Sequence, residues 1–137
     1  MTVFVALDNH NGMMLNNRRQ SRDSMMLQKM FEMIGNDKLF VHSFSQKLLT
    51  NDYGDKIVVR DDFLKAAQTG DNCFVENQHI FEHINKINTI YVFRWNRDYL
   101  SDFKFDIDLS GWEMELVEEF AGYSHDCITL EKYTKTN

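Results

Sequence analysis

Residues 16–34 read NNRRQSRDSMMLQKMFEMI, with three arginines, a glutamine and an aspartate placed before an apolar run. At about 100° per residue, Leu27, Met30, Phe31 and Ile34 fall on one helical stripe, flanked by Met26 and Met33. Asp23 lies four residues before Leu27, so its carboxylate points near the middle of that stripe. Two chemistries suit an acid there. One is an N-cap or first-turn acid favoured by the helix dipole. The other is a carboxylate at the base of a cleft, its pKa raised by burial, able to donate a proton or anchor a ligand. Arg18, Arg19 and Arg22, with Gln20 among them, are either solvated loop charges or a carboxylate- or phosphate-binding lip beside a helix N-terminus. Leu27 would form the apolar wall of such a cleft.

Three further clusters could carry chemistry. In RWNRDY, Arg94 and Arg97 flank Trp95 and Asn96, a set able to stack on a planar ring and clamp an anion. The alternative is a strand-end aromatic with solvated arginines. In GYSHD, residues 122–126, a hairpin loop carries His125, which could reach a pocket as a proton carrier near neutral pH. HIFEH, residues 79–83, has the His-x-x-Glu-His spacing of inverted zinc proteases. There the helical stripe Ile80, Phe81, Ile84, Ile87 would turn His79, Glu82 and His83 toward solvent, as a surface pair with no third metal ligand. The sequence contains no phosphate-binding Gly-rich loop, no Gly-x-Ser-x-Gly elbow and no Cys–His nucleophile pair.

The elements that must position these residues follow from the pattern of apolar runs. TVFVALD reads as a strand buried on both faces, broken by the turn residues DNHNG. A helix from about Asp23 to Ile34 stops at Gly35-Asn36. Strands are expected at KLFVHS, DKIVV, NCFVE and TIYVFRW, with helices at FSQKLLT, DDFLKAAQ and NQHIFEHINKI between them. WEMELVEEF and CITLEKY alternate as an antiparallel pair joined through AGYSHD. Alternating strands and helices followed by a strand pair predict an α/β domain, mostly parallel with an antiparallel edge. In such sheets ligands sit at the carboxyl ends of the parallel strands, where the first strand–helix connection lies. Cys73 and Cys127 fall in apolar strand-like runs and are expected to be reduced core residues.

VALDNHNGM followed by RDSMMLQKMF resembles the start of dihydrofolate reductase: an apolar strand, a Gly-Met loop, and a helix whose early carboxylate holds the pterin. Asp23 falls on that carboxylate, allowing one deleted residue. DKLFVHSFSQKLL is similar to the second strand and helix, and CFVENQHIFEHINKINTIYVF to the strand–helix–strand after the cofactor loop. DFKFDIDLSGWEMELVEEF and CITLEKY resemble the closing hairpin. The resemblance spans residues 1–137 as one domain. It implies a dihydrofolate reductase-like α/β fold with a mostly parallel sheet, a C-terminal antiparallel hairpin and helices on both faces. The cofactor it implies is NADPH, but the residues depart from the family at its contacts. Glu76-Asn77 stands where the family has a Gly-Gly pair, and Ser43-Phe44-Ser45-Gln46 where it has Gly-Arg-x-Thr. Arg60-Asp61-Asp62 occupies the expected place of the extra phosphate. Two acids near a dianionic phosphate would each cost on the order of 1 kcal/mol, which weighs against ordinary NADPH binding. The Leu-Pro-Gly-Arg folate-tail segment is missing, Asn17-Arg18-Arg19 replaces Leu-Pro-Trp, and Phe93 or Arg94 replaces a threonine supporting the acid. RRQSxD, CFVEN and RWNR also resemble a group of short Firmicutes-type chains, some of which carry the name ribonuclease Z. A metallo-β-lactamase-type nuclease needs a His-x-His-x-Asp-His cluster, which this sequence lacks.

With 15 basic and 21 acidic residues the chain carries a net charge of −6, a field that opposes nucleic acid and anionic membrane. No signal peptide or membrane span is expected, and the cytoplasm is the default location. Three functions fit. The first is a divergent reductase-like protein that binds a small anionic or heteroaromatic ligand, nucleotide- or pterin-like. The second is an active NADPH-dependent pterin or folate reductase using Asp23 as acid. The third is an acidic regulatory protein acting through a protein partner by way of Asp61, Asp62, Glu113, Glu115, Glu118 and Glu119.

Overall fold

The apolar run that opens the chain becomes β1 (Thr2–Leu7), whose Val3, Phe4, Val5 and Leu7 are all buried. A computed structural model describes residues 1–136. After β1 come β2 (Gly12–Leu15), β3 (Arg18–Arg19), α1 (Ser24–Ile34), β4 (Leu39–Val41), α2 (Ser43–Tyr53) and β5 (Ile57–Val59). Then follow α3 (Phe63–Ala66), β6 (Asn72–Phe74), a 3₁₀ helix (Phe81–Lys86), β7 (Thr89–Arg94), β8 (Phe103–Lys104), β9 (Glu113–Phe120) and β10 (Ile128–Thr134). The main sheet has the order β5-β4-β6-β1-β7-β10-β9. Its first five strands run parallel, and β10 and β9 complete an antiparallel edge.

Helix α1 forms because its apolar residues recur at helical spacing: Met26, Leu27, Met30, Phe31 and Ile34 are buried together. It stops where Gly35 takes φ +59° and its amide closes on the Phe31 carbonyl, a positive φ that glycine accepts without a Cβ penalty. Leu49 of α2 joins the same cluster on that face of the sheet. The opposite face is covered by Phe63 and Leu64 of α3 and by Ile80 and Ile87 around the 3₁₀ segment.

Several expectations change. The expected helix over NQHIFEHINKI is only the six-residue 3₁₀ turn, because the Asp106 carboxylate draws in the Ile80 and Phe81 amides at 2.9 and 3.0 Å. Phe81 consequently points out to solvent, and His79 stacks on Phe103 with ring centroids 4.2 Å apart. Cys73 is a buried core residue, whereas Cys127 is exposed at the entry to β10. A separate three-stranded sheet, β3-β2-β8, also forms. Its tip is a two-residue hairpin in which Leu15 pairs with Arg18 while Asn16 and Asn17 take φ of 51° and 62°. Asparagine tolerates that left-handed region, and two such residues make the type I′ turn that suits twisted strands. This β2–β3 arm carries Arg19 across the carboxyl ends of β1 and β6.

Among the described residues no helix is long and apolar enough to cross a membrane.

Candidate functional site

Asp23 is 2% exposed and caps α1. Its Oδ1 accepts from the amides of Met25 (2.9 Å), Met26 (3.3 Å) and Tyr123 (2.9 Å). Its Oδ2 accepts from the Ser124 amide at 2.8 Å, the Ser124 hydroxyl at 3.2 Å and His125 Nδ1 at 2.9 Å. Burial pushes this carboxyl up, but the bonds from Tyr123, His125, Ser124 and Met26 outweigh it and hold the group well below the usual carboxylate range. Of the two readings of this acid the N-cap is the one formed, and the raised pKa of the other is reversed: a carboxylate meeting this many donors stays ionised and cannot serve as a reservoir of a proton. Gly122 makes the clamp possible, since a Cβ there would lie 2.6 Å from Asp23 Oδ2 and 2.8 Å from the His125 carbonyl.

His125 passes the arrangement on. An ionised carboxylate only accepts, so Nδ1 carries a hydrogen. Nε2 faces the Tyr99 hydroxyl at 2.8 Å and the Ser21 hydroxyl at 3.2 Å. The ring stacks on buried Trp95 with centroids 4.4 Å apart. Trp95 is thus a packed wall rather than an open stacking platform. Its neighbours do not form the anticipated anion clamp. Arg94 is committed to Glu131 at 2.9 Å and to Asn11 at 2.6 Å. Asn96 donates to the Cys127 carbonyl and the Thr129 hydroxyl, and Arg97 braces the Ser124 carbonyl at 3.2 Å.

A second cluster lies across the mouth. Arg19 Nε donates to Glu76 Oε2 at 2.8 Å and Nη2 donates to Oε1 at 2.9 Å, a two-pronged pair. The guanidinium lies over the Phe44 ring, 4.8 Å from its centroid. Ser45, buried in the first turn of α2, donates its hydroxyl to Glu76 Oε1 at 2.7 Å. Glu76 projects from just beyond β6 and its side chain is 9% exposed, against 25% for Arg19.

Between the two clusters is a small cavity of about 20 Å³, room for roughly one water. Arg19, Gln20, Asp23, Leu27, Glu76 and Trp95 are among its walls, with Ala6 and Phe74 as its apolar floor and exposed Arg22 at its rim. Arg18 faces an outer depression instead. Gln20 Nε2 donates to Asp8 Oδ2 and to the Leu100 carbonyl, which fixes the amide and leaves Oε1 buried without a partner. Asn77 lies in a different depression with Asn17, Phe44 and Phe103. Among the described residues no group of three His, Cys, Asp or Glu side chains could hold a metal ion.

Ser21, Tyr99 and Asp8 escaped the sequence reading, and Phe44 and Ser45 entered it only as replacements at the second helix; Asp8 accepts from the amides of His10 and Gly12 at 2.8 Å each. Asp8 had one available signal, an acid ending an apolar strand before a turn. The others are fixed by tertiary contacts alone.

The expected cofactor contacts are also engaged internally. Arg60 pairs with Asp62 at 2.8 Å, and Asp61 accepts from the Ser43 amide at 3.1 Å. Glu76, which stands where the resemblance implies a Gly-Gly pair, is likewise taken up by Arg19.

No family model matches the chain, and no curated protein matches it. Among solved structures, a dihydrofolate reductase from Enterococcus faecalis complexed with NADP(H) and RAB-propyl is similar, with a TM-score of 0.67 and 14% identity. The match covers 100% of this chain and 97% of that one. The chain therefore has a dihydrofolate reductase-like fold.

Proposed function

We propose that this chain is a divergent protein of the reductase-like fold that binds a small heteroaromatic ligand in the cleft where β1 gives way to α1. The observation carrying this reading is the cavity with an aromatic and aliphatic floor at the carboxyl ends of β1, β6 and β7, with one side-chain ion pair in its wall. Such sheet ends are where α/β folds place ligands. An anionic ligand is less well served than the sequence suggested. Arg19 is already neutralised by Glu76, Arg94 by Glu131, and Arg18 and Arg97 lie outside the cavity. Pterin reduction is also less well served, because Asp23 is held ionised and the cofactor contacts have been replaced by acids and their internal partners.

The test is native mass spectrometry of the protein as purified, followed by thermal-shift screening of nucleobases, pterins and related heterocycles. We expect a carried or added heterocycle to bind and raise the melting temperature, with no saturable NADPH fluorescence change at millimolar cofactor. Saturable NADPH binding with dihydropterin-dependent oxidation would instead establish the reductase reading.

One feature supports a role through a protein partner. Strand β9 is an edge strand with Met114 and Leu116 each 55% exposed among four acidic residues. A basic partner co-purifying at low salt and lost at high salt, and abolished by Leu116→Lys, would establish that role.

A further inference from the structure

Resting on the cleft reading above, we infer that the ligand is a planar cation, an amidinium or protonated 2-amino-N-heterocycle, that takes the place of Arg19 on the Glu76 carboxylate. The cavity as it stands holds little more than a water, so any larger ligand needs a wall to move. The two members of the ion pair differ in their freedom to do so. Arg19 sits on a short arm with a quarter of its side chain exposed, and besides Glu76 its guanidinium meets the Phe44 carbonyl at a long 3.4 Å and the Phe44 ring, so an outward turn into water breaks few other contacts. Glu76 is nearly enclosed, fixed by the Ser45 hydroxyl at 2.7 Å, and cannot follow. When Arg19 leaves, a largely enclosed carboxylate remains with only the Ser45 hydroxyl as partner, and a charge so placed is disfavoured without a counter-ion. The ligand must therefore bring its own positive charge. A flat N–C–N group reproduces the two parallel N–H···O bonds that Arg19 now makes and the stacking on Phe44.

The remaining polar groups agree. Asp23 adds a second negative charge to the cavity wall, matched by neutral amides, a hydroxyl and an imidazole rather than by an arginine or lysine. Gln20 Oε1 is a buried acceptor with no donor, on the same wall. Gln20 Oε1 asks for an N–H group, and the saturated Asp23 contributes its negative field alone. Exposed Arg22 at the rim is the one opposing charge, and it can turn to solvent. In this arrangement Arg19 acts as a tethered internal competitor, whose local concentration of millimolar order raises the apparent dissociation constant.

The isosteric series benzamidine, benzamide and benzoate separates ring binding from charge selection. Calorimetric titration is carried out on the wild type, Arg19→Ala and Arg19→Ala/Glu76→Gln, with Arg19→Met as the substitute should the alanine variant fail to fold. We expect Arg19→Ala to bind benzamidine at least tenfold more tightly than the wild type does, and at least tenfold more tightly than it binds benzamide. Benzoate should not bind measurably, and Glu76→Gln should erase the preference for benzamidine. If benzamide or benzoate binds as well as benzamidine, the charge inference fails while the cleft reading survives. If none of the three binds a folded Arg19 variant at millimolar concentration, both fall.

Discussion

Two carboxylates face the same cavity and are built for opposite purposes. Asp23 is held by the start of α1 and by the 121–125 loop together, through four backbone amides, a hydroxyl and an imidazole. Glu76 is held by one serine and one arginine, and the arginine arrives on a movable side chain. A charge satisfied by many fixed dipoles is structural, because no single movement can free it. A charge satisfied mainly by one flexible cation is exchangeable. The position that the sequence marks as the chemical acid thus behaves as a bolt, and the position that looks like a damaged cofactor contact is the one able to change partners.

The largest expected effect comes from breaking the bolt. Asp23→Ala removes an N-cap worth about 1 kcal/mol and strands buried donors at about 1–3 kcal/mol each. We expect a loss of about 3–5 kcal/mol in a denaturant titration, with the 121–126 loop exchanging its amide hydrogens faster. Acid should expose the same residue. The folded-state pKa of Asp23 lies below its unfolded value, so its contribution is complete above the unfolded value of about 3.9 and is lost as pH falls toward the folded one. Stability therefore falls as the pH drops below about 5, and Asp23→Asn should flatten that slope when unfolding is followed from about pH 5 to 2. Asp8, whose pKa is also lowered, contributes with the same sign and leaves some slope behind.

Arg19→Ala should cost less, about 1–3 kcal/mol, since the pair is only partly buried. Adding Glu76→Gln should restore most of it, with a coupling of about 1–2 kcal/mol in the double-mutant cycle. An uncoupled cycle would make the pair a surface accident and erase the contrast with Asp23. At the small end, Arg18→Ala should change stability by less than about 0.5 kcal/mol, as expected for a surface side chain outside such networks.

How far the sequence exposed all this depends on the distance between partners. The α1 stripe and its stop at Gly35 are legible because every relevant residue lies within one helical period or one turn. Asp23 as a cap is legible for the same reason. Its saturation is not, since the donors at Tyr123, Ser124 and His125 lie about a hundred residues away. The Asn16-Asn17 turn carried a local signal, two residues tolerant of positive φ, but the surrounding charges made the segment read as an open lip. Glu76 was visible as bulk and charge in a place for glycine, while its partner, 57 residues earlier, was visible only as one arginine among three. Cys127 shows the limit of pattern alone: its run alternates like a strand, yet the strand begins one residue later.

The central claim, that the Arg19–Glu76 pair opens to admit a ligand, is tested most directly by the Nε–H resonance of Arg19 in the wild-type protein. During titration with 2-aminobenzimidazole at neutral pH, that resonance should move from a paired position to that of a solvated guanidinium as binding saturates. Saturable binding in the cleft with the Arg19 signal unmoved would contradict it.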